Sequence, residues 1–239
     1  MHALVGVNAV VALITLLLLG SDGEFAAIYR FGVVPNELTG GALYGLVAFR
    51  DSQGVVQQVD LTSPVPTFVT MFTSLFLHGG WMHMGGNMLF LWVFGDNIED
   101  KLGHAKFLVF YLVAGAVAVW TQVLVDPSSH VPMIGASGAV AGVLGAYLVL
   151  HPRSRIDTLV IVGFIFHARL PAFVLLGGWA IFQVFIGAAT LGVSGEGGVA
   201  YFAHIGGFAM GGVVFLILRA MRKLRWEGVR DVQGKLFDD

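Results

Sequence analysis

The 239-residue chain contains no cysteine, which excludes disulfides, thiolate nucleophiles and cysteine-ligated zinc or iron–sulfur centres together. It is also short of charge: 12% of residues are Asp, Glu, Lys or Arg, about half the roughly 25% of a soluble domain. Thirteen Lys and Arg against 15 Asp and Glu leave no basic excess for a nucleic-acid partner. No HExxH occurs, and no helix bears two histidines with a carboxylate, so neither a metal nor a cofactor is expected. No internal repeat is visible, so an inverted-repeat transporter gains no support. What is abundant is apolar: 56% hydrophobic residues, a mean hydropathy of +0.82 and 33 glycines, about twice the usual share. Glycine is tolerated in membrane helices, where neighbouring helices re-satisfy the backbone. The composition is that of a multi-pass membrane protein.

Six apolar segments, roughly 4–20, 84–95, 105–125, 137–150, 170–190 and 199–218, predict six transmembrane helices. The expected fold is all-α: one membrane bundle over 1–222 with a long outer loop at 21–80, then a short cytoplasmic tail at 223–239. The apolar stretch 156–166 is too brief to cross ~30 Å of hydrocarbon and reads as interfacial. The first span lacks a basic n-region and a small-x-small cleavage site, so it reads as a retained helix.

Loop charges set the orientation. Lys101, Lys106, Arg153, Arg155, Arg169, Arg219, Arg222, Lys223, Arg225, Arg230 and Lys235 fall on the side of the termini, against only Arg30 and Arg50 opposite. This positive-inside bias places both termini in the cytoplasm of a cell-membrane protein. Within the outer loop, Val65, Phe68, Met71, Phe72, Leu75 and Phe76 recur at helical spacing. They predict a helix that either lies in the interface plane or packs on the bundle.

Polar residues within the spans concentrate in three places: HGGWMHMGGN with His78, His83 and Asn87, GASG with Ser137, and AHIGGFAMG with His204. Spans two, four and six all run from outside to inside. At 1.5 Å per residue, Asn87 and His204 each lie about 9 Å below the outer end of their span. The fourth span is short, which puts Ser137 about 10 Å below the outer face. The backbone at Met133–Ala136 is then non-helical within the membrane, which requires protein or a wet cavity around it. Such a hollow with a serine at its floor suits hydrolysis.

Small residues supply the close approach. His204, Gly207 and Gly211 share one helical stripe, and Gly138, Gly142 and Gly145 share another. Each signal has a plainer reading: a serine bonded to a helical carbonyl, His83 and Asn87 as interhelical glue, His78 as a loop or capping residue. The joint pattern at one depth favours chemistry.

At these residues the chain resembles a rhomboid intramembrane serine protease of the bacterial type. HGGWMHMGGN, GASG and AHIGGFAMG are similar to three family motifs in their order, and Gly95, Glu99 and Gly103 match the family's GxxxExxxG turn. The resemblance implies a six-helix rhomboid-like bundle, with Ser137 as nucleophile and His204 as general base. It gives His83 and Asn87 as oxyanion donors beside Gly135 and Ala136. The implied partners are transmembrane segments of substrate proteins within the lipid bilayer, and the active site opens to the extracytoplasmic side. A catalytically silent rhomboid-like protein that binds membrane clients is the alternative.

Two family features are missing. No Trp-Arg pair occurs in 21–80, and the aromatic that some members place one turn after the serine is Ala141 here. No carboxylate lies at the right depth to complete a triad, because Asp126 and Glu196 fall in outer loops. The expectation is a Ser137–His204 dyad whose orienting group is unassigned. The 170–190 span and the 191–199 cap are the candidate gating elements.

Overall fold

A computed structural model describes residues 1–50, 56–162, 164–191 and 198–221. The expected tail 223–239 falls outside these residues, as do Glu196, most of the 191–199 cap and the basic residues from Arg222 onward.

The first helix, α1 (His2–Leu13), passes into a π-helical turn at Ile14–Leu18. There Thr15 Oγ1 donates to the Val11 carbonyl at 3.0 Å, and the Leu19 N–H reaches back to Ile14 at 3.1 Å. A side chain bonding into the ladder is a usual cause of such a distortion. Gly20, at φ +68°, then allows the chain to re-enter helix as α2 (Gly20–Phe31). The outer loop is therefore built rather than slack. After α2 come the single turn α3 (Pro35–Leu38), a hairpin of β1 (Leu46–Arg50) and β2 (Val56–Asp60), and α4 (Thr67–Thr73), which ends in a 3₁₀ turn at Ser74–Phe76.

The remaining helices are α5 (Trp81–Leu102), α6 (His104–Val125), α7 (Ser137–Leu150), α8 (Ala172–Ala189) and α9 (Tyr201–Ala220). Each of the six predicted spans thus coincides with a helix. Among the described residues, α6, α8 and α9 are long and apolar enough to cross a membrane, while α1 with its π turn and α7 are apolar but shorter. At 22 residues α5 is long enough, but Asp96, Glu99, Asp100 and Lys101 crowd its last turns.

Two short hairpins add to the helical bundle. The outer loop holds the β1–β2 hairpin. The stretch read as interfacial, 156–166, is a second antiparallel hairpin of β3 (Arg155–Val162) and β4 (Phe164–Pro171). Its β-branched and aromatic composition favours a pleated strand, and its base is tied by Arg169 Nε donating to Asp157 Oδ1 at 2.9 Å.

The core is centred on α7, eleven of whose 14 residues are buried. It packs chiefly on α9, then on α6, α5 and α8. The two glycine stripes meet here. A Cβ on Gly207 would collide with the Gly138 carbonyl and one on Gly211 with the Gly142 carbonyl, while one on Gly142 would fall 2.6 Å from the Ala114 methyl. Side chains larger than hydrogen would force these backbones apart, and the first residue of α7 would leave the first turn of α9.

Of the two readings of the 65–76 stripe, packing on the bundle is the one observed. Leu75 is buried over Gly115 of α6, 2.7 Å from where a Cβ would sit there. Met71 lies against Val33, Val119 and Val123, whereas Phe68 faces outward.

Candidate active site

The serine is carried by a helix that starts late. Helix α7 begins at Ser137, with Ala136 as N-cap and no side chain capping it. Its first N–H groups therefore stay available, with the positive end of the helix dipole beside them. The residues before it are non-helical, as the depth argument required, and protein covers their polar groups. Val33 and Met133 exchange N–H···O bonds at 3.0 and 2.7 Å, and the Gly135 N–H donates to the Ser74 carbonyl at 2.9 Å. Gly135 holds φ +113°, a conformation that a side chain would strain. Segments on either side of the first outer hairpin thus clasp the loop that delivers the nucleophile.

Helix α9 brings His204 to it in its first turn. Ser137 Oγ lies 2.8 Å from His204 Nε2, an O–H···N hydrogen bond between residues 67 apart in sequence. Both side chains are half-buried. The other ring nitrogen, Nδ1, donates to Gln183 Oε1 on α8 at 2.9 Å. The Trp179 ring, one turn earlier on α8, lies 5.9 Å from the imidazole at a 35° tilt. Where Ala141 offers no ring, α8 thus meets the imidazole by an edge contact and a face contact. Ala141 itself is fully buried.

Helix α5 supplies the opposite wall. An ideal Cβ on Gly135 would fall 2.7 Å from His83 Nε2 and 3.7 Å from Asn87 Nδ2, so both side chains look across the Gly135 backbone. His83 is exposed, and Asn87 is only 7% exposed. Asn87 Nδ2 is a buried donor with no partner. Such a group costs stability unless something accepts from it.

His78 lies in the loop before α5, as the plainer sequence reading had it, and the N-cap of α5 is Gly80. The His78 ring is 1% exposed and makes an edge contact with His83 at 5.1 Å. Burial pushes its pKa down to about 4, with the neighbouring His83 as a second cause. At the far end of α5, Glu99 is buried and accepts from the Met1 amine at 2.5 Å and from His104 Nδ1 at 3.0 Å. Gly103, at φ +77°, turns the chain there into α6. This cluster ties α1, α5 and α6 together away from the serine. Asp126 caps the end of α6 on the exposed outer surface.

The structure thus brings together Ser137, His204, His83 and Asn87, which the sequence singled out, and adds Gln183 and Trp179, which it did not. The signal for Gln183 was present: it is the only amide or ionisable side chain in Ala172–Ala189.

The family model described as the Rhomboid domain matches residues 66–221. Rhomboid protein 1, mitochondrial, of Saccharomyces cerevisiae is 31% identical over 167 residues, covering 67% of this chain and 45% of the relative. Presenilin-associated rhomboid-like protein, mitochondrial, of Homo sapiens is 33% identical over 135 residues, 52% of this chain and 36% of the relative. Rhomboid-like protein 11, chloroplastic, of Arabidopsis thaliana is 31% identical over 161 residues, 64% of this chain and 53% of the relative. The chain aligns with about half or less of the length of these proteins. With the family model spanning well over half of its residues, the chain belongs to the rhomboid family.

Proposed function

We propose that the chain is an intramembrane serine endopeptidase that cleaves transmembrane segments of other membrane proteins. The observation that carries the reading is the 2.8 Å bond between Ser137 Oγ and His204 Nε2. A serine hydroxyl is a weak nucleophile until an adjacent base takes its proton, an effect worth ~10²–10⁴-fold in rate. Ser137 Oγ attacks the scissile carbonyl carbon as its proton passes to His204 Nε2. The oxyanion accepts hydrogen bonds from the Ser137 N–H and from His83 and Asn87, each well-aimed donor contributing about 10²–10³ in rate. As the intermediate collapses, the C–N bond breaks and Nε2–H protonates the leaving amine. Water then attacks the acyl-serine with His204 again as base, releasing a carboxylic acid and restoring the hydroxyl. Gly135 and Ala136 line the floor along which the substrate backbone lies.

A peptide bond inside a helix has its carbonyl engaged, so the substrate must unwind locally. The reading therefore includes a preference for small residues at the cut and helix-weakening residues nearby. Cleavage of single-pass reporters with and without Gly or Pro near the site measures that preference, and equal rates would overturn it. The functional unit is the bundle over 1–222, with 223–239 as an appended tail. The loop charges support a cell-membrane location with cytoplasmic termini and a site opening to the extracytoplasmic face.

The test is fluorophosphonate labelling of the purified chain, wild type against Ser137→Ala and His204→Ala, alongside reporter cleavage. Labelling and cleavage in wild type alone are expected. Client binding without either would establish the catalytically silent alternative.

A further inference from the structure

We propose that Gln183 is a positioning residue for His204, which makes a Ser137–His204–Gln183 chain in which a neutral amide orients the base. The proposal rests on the serine-hydrolase reading and adds to it the element that decides whether the base is competent. For Ser137 to donate to Nε2, that nitrogen must be bare, so the imidazole proton must sit on Nδ1. A free neutral imidazole exchanges between both tautomers. An acceptor fixed against Nδ1 selects the useful one, and Gln183 Oε1 lies 2.9 Å away. An orienting carboxylate would carry the penalty of a charge held inside a bilayer. An amide performs the same orientation without it.

The placement on α8 is specific. The buried residues of this helix are Ala172, Leu176, Gln183 and Gly187, one stripe of its surface, and Gln183 is the one polar member. Trp179, four residues earlier, covers the imidazole face from the same helix. One element thus fixes both the proton and the plane of His204. Fourteen of its 18 residues are not buried, and beside the site α8 and α9 part around a cavity of about 200 Å³ lined by Trp179, Gln183, Val184, Ile205 and Phe208. A shift of α8 by an ångström would stretch the Nδ1–H···O bond beyond hydrogen-bond range and free the ring to take the unproductive tautomer. The position of α8 therefore sets the reactivity of the serine. Of the ionisable groups facing His204, His83 on α5 is the one whose charge acts on it; α7 presents Ser137, and α8 carries none.

The test measures reporter cleavage and fluorophosphonate labelling across pH 5–9 with the full chain, comparing wild type, Ser137→Ala, Gln183→Leu and Gln183→Glu. Gln183→Leu is expected to lower kcat about 10-fold or more with KM little changed, and to move the acid limb of kcat/KM to lower pH. Gln183→Glu keeps the acceptor and adds a charge that favours imidazolium, so it should retain kcat near wild type with the acid limb about one pH unit higher. Gln183→Met, similar in length but without an acceptor, serves in place of Leu where that variant does not fold. A residue that merely fills space would change melting temperature and leave the acid limb in place. Wild-type kcat and an unmoved acid limb in Gln183→Leu or Gln183→Met would overturn the proposal. Absence of Ser137-dependent labelling in wild type would instead overturn the hydrolase reading beneath it.

Discussion

Asn87 holds a buried amide nitrogen beside Gly135 with no hydrogen-bond partner among the described residues, a state that costs about 1–3 kcal/mol in the resting protein. Asn87→Ala should therefore lower kcat about 10²-fold with KM little changed, and a melting curve of the variant should show no loss of stability. His78 gives a second residue-level expectation. Above pH 6.5 its ring is neutral in both the folded and unfolded chain; between 6.5 and about 4 only the unfolded chain takes up the proton. Stability is thus complete at neutral pH and falls through that window, by up to about 3 kcal/mol for the full shift. Thermal midpoints measured from pH 7 to pH 4 should decline less steeply in His78→Gln than in wild type. At this scale the reactive pair was legible because a lone serine or histidine stands out within an apolar run. Gln183 stands in an equally apolar run, but it lies alone there and belongs to none of the three motifs. Trp179 could not be distinguished from an aromatic anchor at the membrane surface.

The contact between α7 and α9 depends on hydrogen atoms where other helices carry side chains. In Gly211→Ala the new methyl would meet the Gly142 carbonyl, and neither backbone can give way. A destabilisation of about 1–3 kcal/mol is expected, read as a lower unfolding midpoint and a parallel loss of labelling. Gly177→Ala on α8 is the control: nothing lies within 4 Å of its added carbon, and helix propensity favours it by up to about 1 kcal/mol. The stripes on α7 and α9 were readable because small residues at helical spacing have a direct geometric meaning. The hairpin at Arg155–Pro171 was not. Its strands are continuously apolar near the turn, so the alternation that marks a half-buried strand is missing there, and length alone pointed to the interface. The π turn and Gly20 also split what read as one span plus loop into α1 and α2. Neither leaves a period in the sequence.

Orientation belongs to the whole molecule, and the absence of cysteine makes it directly measurable. Single-cysteine variants at the exposed positions Ala105, in the first turn of α6, and Ser128, just past its last residue, mark its opposite ends. An impermeant maleimide should label Ser128→Cys from outside in right-side-out vesicles, and Ala105→Cys only after permeabilisation. The reverse pattern would invert the topology and turn the catalytic hollow to the other face. The clasp between Val33 and Met133, with Gly135 held by Ser74, has a consequence for biogenesis. During synthesis the ribosome makes both holding segments before the serine they hold, while His204 emerges later still. A half-made copy therefore has a hydroxyl with no partner to activate it. Under the proposed reading, proteolysis therefore waits until the final helix has docked.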